Sequence, residues 1–291
     1  MNRIYRIAGH AFGVSGKQLC EAVERIEGFK PFEGSEVEPA FFFREGVEAE
    51  MPSIVTEQYA FDYEDVKGTF GRTSEGFFLS LKPLMEDAFR LWCKDAEPVV
   101  FLAGNWSMRL YRFALWVGYG LMTLAKDTLA IHSSCIVYKD KAVLFLGESG
   151  TGKSTHTRLW RECIEGAALL NDDSPMVRIE NGKAWVYGSA WSGKTPCYKD
   201  ERYELKACVR LSQAPANVMK KLSVLQAYGA IHPSCPPEFA YDDALYDRVS
   251  QIIGRVLSAV PFYHLACLPD KEAACLSCRT IFGNDHEADT E

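Results

Sequence analysis

Ala142-Val143-Leu144-Phe145-Leu146-Gly147-Glu148-Ser149-Gly150-Thr151-Gly152-Lys153-Ser154 is the stretch on which the reading of this chain turns. Five apolar residues make a buried strand. Gly147 to Ser154 follow as a complete Walker A phosphate loop, and Lys153 to Arg161 read as the start of a helix. Glycines let such a loop curl until successive N–H groups point inward at phosphate oxygens. The helix N-terminus adds its positive potential. Gly147, Glu148, Ser149, Gly150, Thr151, Gly152, Lys153, Ser154 and Thr155 are therefore the candidate nucleotide-binding residues. The Lys153 ammonium reaches the β- and γ-phosphates, and the Ser154 hydroxyl is a Mg²⁺ ligand.

Working outward, Leu129 to Tyr138 reads as a strand. The turn Lys139-Asp140-Lys141 joins it to the Walker strand as a hairpin, which predicts a mixed rather than purely parallel sheet. Downstream, Ala167 to Leu170 is a short buried strand ending in Asn171-Asp172-Asp173-Ser174-Pro175. An acid at a strand end beyond the loop is where such proteins hold their metal. Two adjacent acids permit a division of labour: one associates with Mg²⁺, the other accepts a proton from an attacking hydroxyl. His132, one strand away, is expected beside Asp172, orienting it or relaying its proton. Met176–Ile179 and Ala184–Tyr187 flank Asn181-Gly182, a second hairpin signal. The loop Gly188 to Pro196 carries Lys194, expected to close over the phosphates and expel water. Lys206–Leu211, Asp243–Ala259, Phe262–Leu268 and Pro269–Arg279 read as strand, helix, strand and helix. Residues 213–240, with Pro233, Pro236 and Pro237 among them, read as irregular connections.

Residues 1–99 read differently. Short strand-like pieces (Met1–Ile7, Ala40–Phe43, Ser53–Ala60, Gly76–Leu81) are punctuated by Gly, Pro and Glu, which suggests a small β-rich module of unassigned role. Gly68 to Arg72 reads as a turn. Leu110, Phe113, Ala114, Val117, Leu121 and Leu124 recur at helical spacing as a core stripe. The expected division is thus 1–99 and 100–291, the latter a P-loop domain of α/β class.

Composition narrows the partners. The 291 residues are 47% apolar and 24% charged, with a net charge of −7. That balance disfavours wrapping nucleic acid, which needs clustered Lys and Arg. The apolar stretch Phe113–Ala125 is too short to span a bilayer, so no membrane association is expected. Ten scattered cysteines, no signal-peptide pattern and one lone C-x-x-C (Cys275 to Cys278) suggest reduced thiols and a cytoplasmic protein. No Asn-Lys-x-Asp guanine motif and no Leu-Ser-Gly-Gly-Gln transporter motif occur.

His132, the loop Gly147–Ser154 and Asp172-Asp173 together resemble the catalytic domain of HPr kinase/phosphorylase, a family that shares its fold with phosphoenolpyruvate carboxykinase. The resemblance spans about residues 129 to 211. It implies an HPr kinase/PEP carboxykinase-like fold and transfer of the γ-phosphoryl group of ATP, with Mg²⁺, to a hydroxyl on a protein serine or small metabolite. It assigns the catalytic base to Asp172, a metal-associated role to Asp173, and a place near the base to His132. Lys153 and Lys194 complete the candidate catalytic set, with Ser154 and Asp173 as metal ligands. Thr155 stands where those kinases carry Glu, and Trp185-Val186-Tyr187-Gly188 occupies the region of their Glu-x-Arg-Gly signature. A nucleotide-binding sensor with little turnover is the alternative, and a carboxykinase-like enzyme the third reading. The acceptor and any homo-oligomeric state stay open.

Mg·ATP at about 100 times its Kd should stabilise the folded chain by about 2.7 kcal/mol. In a thermal-shift measurement that is a rise of several degrees. No shift with ATP, GTP or pyrophosphate would contradict the reading of the loop.

Overall fold

The structure is a computed structural model that describes residues 2–34, 36–63, 65–104, 107–193 and 195–283. It is a mixed α/β protein of two compact units, Met1–Thr128 with Pro236–Val249, and Leu129–Cys235 with Ser250–Glu291.

The first unit contains β1 (Asn2–Ile7), β2 (His10–Ser15), α1 (Lys17–Arg25), β3 (Phe42–Glu45), β4 (Ile54–Tyr63), β5 (Val66–Thr73), β6 (Gly76–Pro83), β7 (Phe89–Lys94), β8 (Val99–Ala103) and α2 (Met108–Leu124). Its eight strands run in the order β1-β2-β3-β8-β7-β6-β5-β4. Aromatic side chains fill its core. Phe12 stacks on Phe41 with ring centroids 5.4 Å apart, and Tyr119 of α2 meets Phe12 edge-on at 5.8 Å. The Tyr119 hydroxyl donates to the Ile7 carbonyl at 2.7 Å, which satisfies the polar end of a buried ring.

Two expectations change here. The unit does not stop near residue 99. The α2 stripe buries Leu110, Ala114, Val117 and Leu124, and the chain returns at Pro236–Val249. There Phe239 meets Phe70 at 6.3 Å, and Asp242 takes Arg72 bidentately at 2.8 and 3.1 Å. Nor is Gly68–Arg72 a turn: it lies inside β5, paired by β4 on one side and β6 on the other. A Cβ at Gly71 would sit 2.1 Å from the Thr56 carbonyl oxygen. Glycine is there because an irregular partner strand comes close, not because the chain reverses.

The second sheet is mixed. It is built from β9 (Thr128–Ala130), β10 (Ser133–Tyr138), β11 (Lys141–Leu146), β12 (Ala168–Asp173), β13 (Met176–Glu180), β14 (Lys183–Tyr187), β15 (Arg202–Gln213), β16 (Val218–Lys221) and β17 (Phe262–Cys267). Its main order is β12-β10-β11-β15-β14-β13-β9, with β17 pairing β15 and β16. Both expected hairpins form: Lys139 and Asp140 (φ 49° and 54°) join β10 to β11, and Asn181 and Gly182 (φ 51° and 76°) join β13 to β14. The pairs β11/β15 and β15/β17 are parallel. The expected strand Leu129–Tyr138 is broken at Ile131 and His132 into β9 and β10.

Helices α3 (Lys153–Cys163) and α6 (Lys271–Phe282) cover one face with Phe145, Trp160, Val209, Leu265 and Ile281. The Trp160 indole donates to Ser277 Oγ at 2.9 Å and to His156 Nε2 at 3.2 Å. Burial pushes the His156 imidazole down to about 4. The region expected to be irregular holds β16 and α4 (Val224–Ile231), which starts with a Ser223/Gln226 capping box. Finally, α5 (Asp243–Ala259) matches its expected span. Among the described residues no helix is long and apolar enough to cross a membrane.

One buried group in the first unit makes stability depend on pH. Glu238 is 2% exposed, its Oε2 has no hydrogen-bond partner, and burial pushes its carboxyl up from 4.5 to about 7. A raised folded pKa contributes stability that is complete below pH 4.5 and is lost as pH rises through about 7. Glu238→Gln should therefore be the more stable protein at pH ~8, by up to about 3 kcal/mol, with the gap closing below pH ~5. Urea denaturation across pH checks this; a gap independent of pH would refute it.

Candidate active site

The loop after β11 has the conformation its glycines allow. Gly147, Gly150 and Gly152 have φ of 151°, 84° and 101°. A Cβ at Gly147 would meet Thr151 Oγ1 at 2.5 Å, so the first turn is too tight for a side chain. Nothing lies within 4 Å of a Cβ built at Gly150 or Gly152, so these two glycines border open space. Glu148, Ser149 and Gly150 are exposed, and α3 begins at Lys153.

Lys153 folds back on the loop. Its ammonium donates to the carbonyls of Gly147 at 2.7 Å and Glu148 at 3.1 Å, and lies 3.1 Å from His132 Nε2. Burial lowers the Lys153 pKa; Asp173 and Asp172 pull it the other way. Ser154 Oγ donates to Asp172 Oδ1 at 3.1 Å. Asp172 is buried, whereas Asp173 is partly exposed and lies 3.1 Å from His132 Nδ1. A neutral imidazole with its proton on Nδ1 satisfies both His132 contacts, accepting from Lys153 and donating to Asp173.

The two acids thus have separate partners, Ser154 for Asp172 and His132 for Asp173. This differs from the expected placing of His132 beside Asp172. The cause lies in the backbone. Successive strand residues face opposite ways, and Asp173, with φ 144°, leaves the regular strand conformation. That is a sparsely populated region for a non-glycine residue, and surrounding structure must hold it.

Asn171 is what holds it. Fully buried, it accepts from the Ser174 amide at 2.9 Å. Its amide hydrogens are shared among Trp191 O at 3.1 Å, Ser189 Oγ at 3.3 Å and Cys197 O at 3.4 Å. Ser189 Oγ donates to Ser174 O at 2.6 Å, and the Gly193 amide donates to Asp172 O at 2.5 Å. The segment Ser189–Ser192 is therefore buried and pinned to the end of β12, not a loose flap. Lys194 lies outside the described residues. Thr155 is half-buried at the edge of a cavity of about 540 Å³ that runs along the loop past His156, Leu211, Gln213 and Leu268. Gln213 reaches back to Gly150 O at 3.3 Å.

The candidate loop, both acids and His132 therefore meet in one place. Asn171, Gln213 and Arg210, which lies 3.5 Å from Glu148, are additions that the sequence reading passed over. Ser154 and the two acids offer hard oxygen donors of the kind Mg²⁺ takes together with water and phosphate. Among the described residues no three His, Cys, Asp or Glu side chains gather into a metal cluster, and all ten cysteines are free.

No protein-family model matches the chain, and no curated protein does. Among solved structures, the HPr(Ser) kinase/phosphatase from Coxiella burnetii is similar at 14% identity and a TM-score of 0.30, over 51% of this chain and 85% of that one. This is a distant structural likeness over half the chain, and no residue's role follows from it.

Asn171→Ala should lower stability by about 2–3 kcal/mol, because several buried groups lose their partner. It should also speed amide hydrogen exchange in residues 189–192. Parent-like stability and exchange would show that the segment is held by something else.

Proposed function

We propose that the chain is a phosphotransferase that takes the γ-phosphoryl group of Mg·ATP to a hydroxyl acceptor, a protein serine or a small metabolite. The observation that carries this is the split of the acid pair: Asp172 bonded to the Ser154 hydroxyl, Asp173 bonded to His132. A protein that only holds nucleotide needs no second, exposed carboxylate backed by an imidazole.

The geometry favours the reverse of the expected roles. Ser154 and Asp172 would hold Mg²⁺, which would supply charge neutralisation for the phosphates. Asp173 is the base: it takes the proton of the acceptor hydroxyl on its carboxylate. His132 Nδ1–H orients that carboxylate. The strained backbone at Asp173, next to the buried segment Ser189–Ser192, fixes its direction. The Lys153 ammonium, lodged on two loop carbonyls, turns outward to the phosphates and exchanges neutral acceptors for charged ones. The in-line reaction needs positioning and charge neutralisation more than covalent help.

Slow ADP release, with water as surrogate acceptor, is the assay. Asp173→Asn should cut turnover by about 100-fold or more and keep Mg·ATP binding. Asp172→Asn should raise the Mg²⁺ concentration needed for binding. Parent-like turnover in Asp173→Asn would remove the base from that position. Failure of the parent protein to bind Mg·ATP would remove the reading as a whole.

A further inference from the structure

The run Ala207-Cys208-Val209-Arg210-Leu211 is apolar except at one position, and it lies on a strand inside a sheet. Ala207, Val209 and Leu211 point into the core under α3 and α6. Arg210 therefore faces the opposite side, by strand alternation. Parallel pairing of β11 with β15 sets Arg210 opposite Leu146, the last strand residue before the phosphate loop. Its side chain is three-quarters buried, yet its contacts with Glu148 Oε1 and the Ala230 carbonyl are long, 3.5 Å each. Five donors in a fixed fork are poorly used by two such contacts. Glu148 itself is 80% exposed and sits on the loop. Lys153 donates to the Glu148 carbonyl at 3.1 Å while Arg210 reaches the Glu148 carboxylate. Two cations thus converge on one loop, an arrangement that favours an anion between them.

We infer that Arg210 is a further phosphate-binding residue, and that Glu148 holds its guanidinium in place until a triphosphate displaces the carboxylate. This rests on the reading of the chain as a nucleotide-dependent phosphotransferase and adds a residue to it. In the sheet order β12-β10-β11-β15 the acid pair lies to one side of the loop strand and Arg210 to the other. Arg210 therefore grips the terminal phosphoryl group from the side away from Asp173. A planar fork there binds two oxygens at once and neutralises charge on the transferring group.

The test is calorimetric titration of the full chain with Mg·ATP, Mg·ADP and tripolyphosphate. Arg210→Gln should weaken ATP by about 10- to 100-fold and ADP by no more than about threefold, the loss expected when a charged hydrogen bond to one phosphate disappears. Arg210→Lys should recover part of the loss. Glu148→Gln releases the guanidinium and should tighten ATP but not ADP; it remains informative if Arg210→Gln does not fold. An unchanged ATP-over-ADP preference in Arg210→Gln, or an equal loss for both nucleotides, overturns the inference. Parent protein that binds none of the three overturns the proposed function, and this inference with it.

Discussion

One strand sets the distance on which the site depends. β10 pairs antiparallel with β11 on one side and with β12 on the other, so that Ser133 stands opposite both Leu146 and Asp173. Strands lie about 4.8 Å apart, which puts the start of the Gly147–Ser154 loop about 10 Å from the acid pair, the scale of the triphosphate proposed to bind there. A slip of one residue in either pairing would turn every side chain of that strand to the other face. The middle strand is tied in turn to the loop's helix: Ser134 Oγ donates to Thr157 Oγ1 of α3 at 3.0 Å, with both groups buried. Sheet register and helix position are thereby set together.

Around that frame the charges compensate one another in a chain. Lys153, His132 and Asp173 form one line, and Ser154 and Asp172 form another. Each bond is satisfied internally, as partly buried polar groups require. On the proposed function an incoming polyanion would rearrange it, because the lysine rests on neutral carbonyls and the arginine on an exposed carboxylate. Asn171, wholly buried, meets the opposite need for rigidity, holding the irregular backbone at Asp173 against Ser174 and Ser189–Trp191. Adaptable partners surround the cations and rigid partners surround Asp173.

Much of this was legible in the sequence where local chemistry is strong. The glycine spacing of the loop, the Asn181-Gly182 turn and the helical stripe of α2 each carry their own conformational cause. The acid pair was legible as a pair at a strand end. Which acid meets which partner was not, because it depends on the positive φ of Asp173, which no local residue pattern announces. Gly68–Arg72 suggested a turn because glycine conformational freedom is local, whereas the pairing that overrides it comes from strands on both sides. The return of Pro236–Val249 to the first unit rests on Asp242 meeting Arg72, residues far apart in sequence. Arg210 did leave a signal, a single cation interrupting an otherwise apolar strand, whose meaning needs the neighbouring loop to be seen.

The most direct measurement is a crystal structure of the full chain with Mg²⁺ and a non-hydrolysable ATP analogue. On this account the triphosphate lies along Gly147–Ser154, and its terminal phosphorus is the phosphorus nearest the Asp173 carboxylate. A nucleotide bound elsewhere, or a terminal phosphate directed away from both acids, would contradict it.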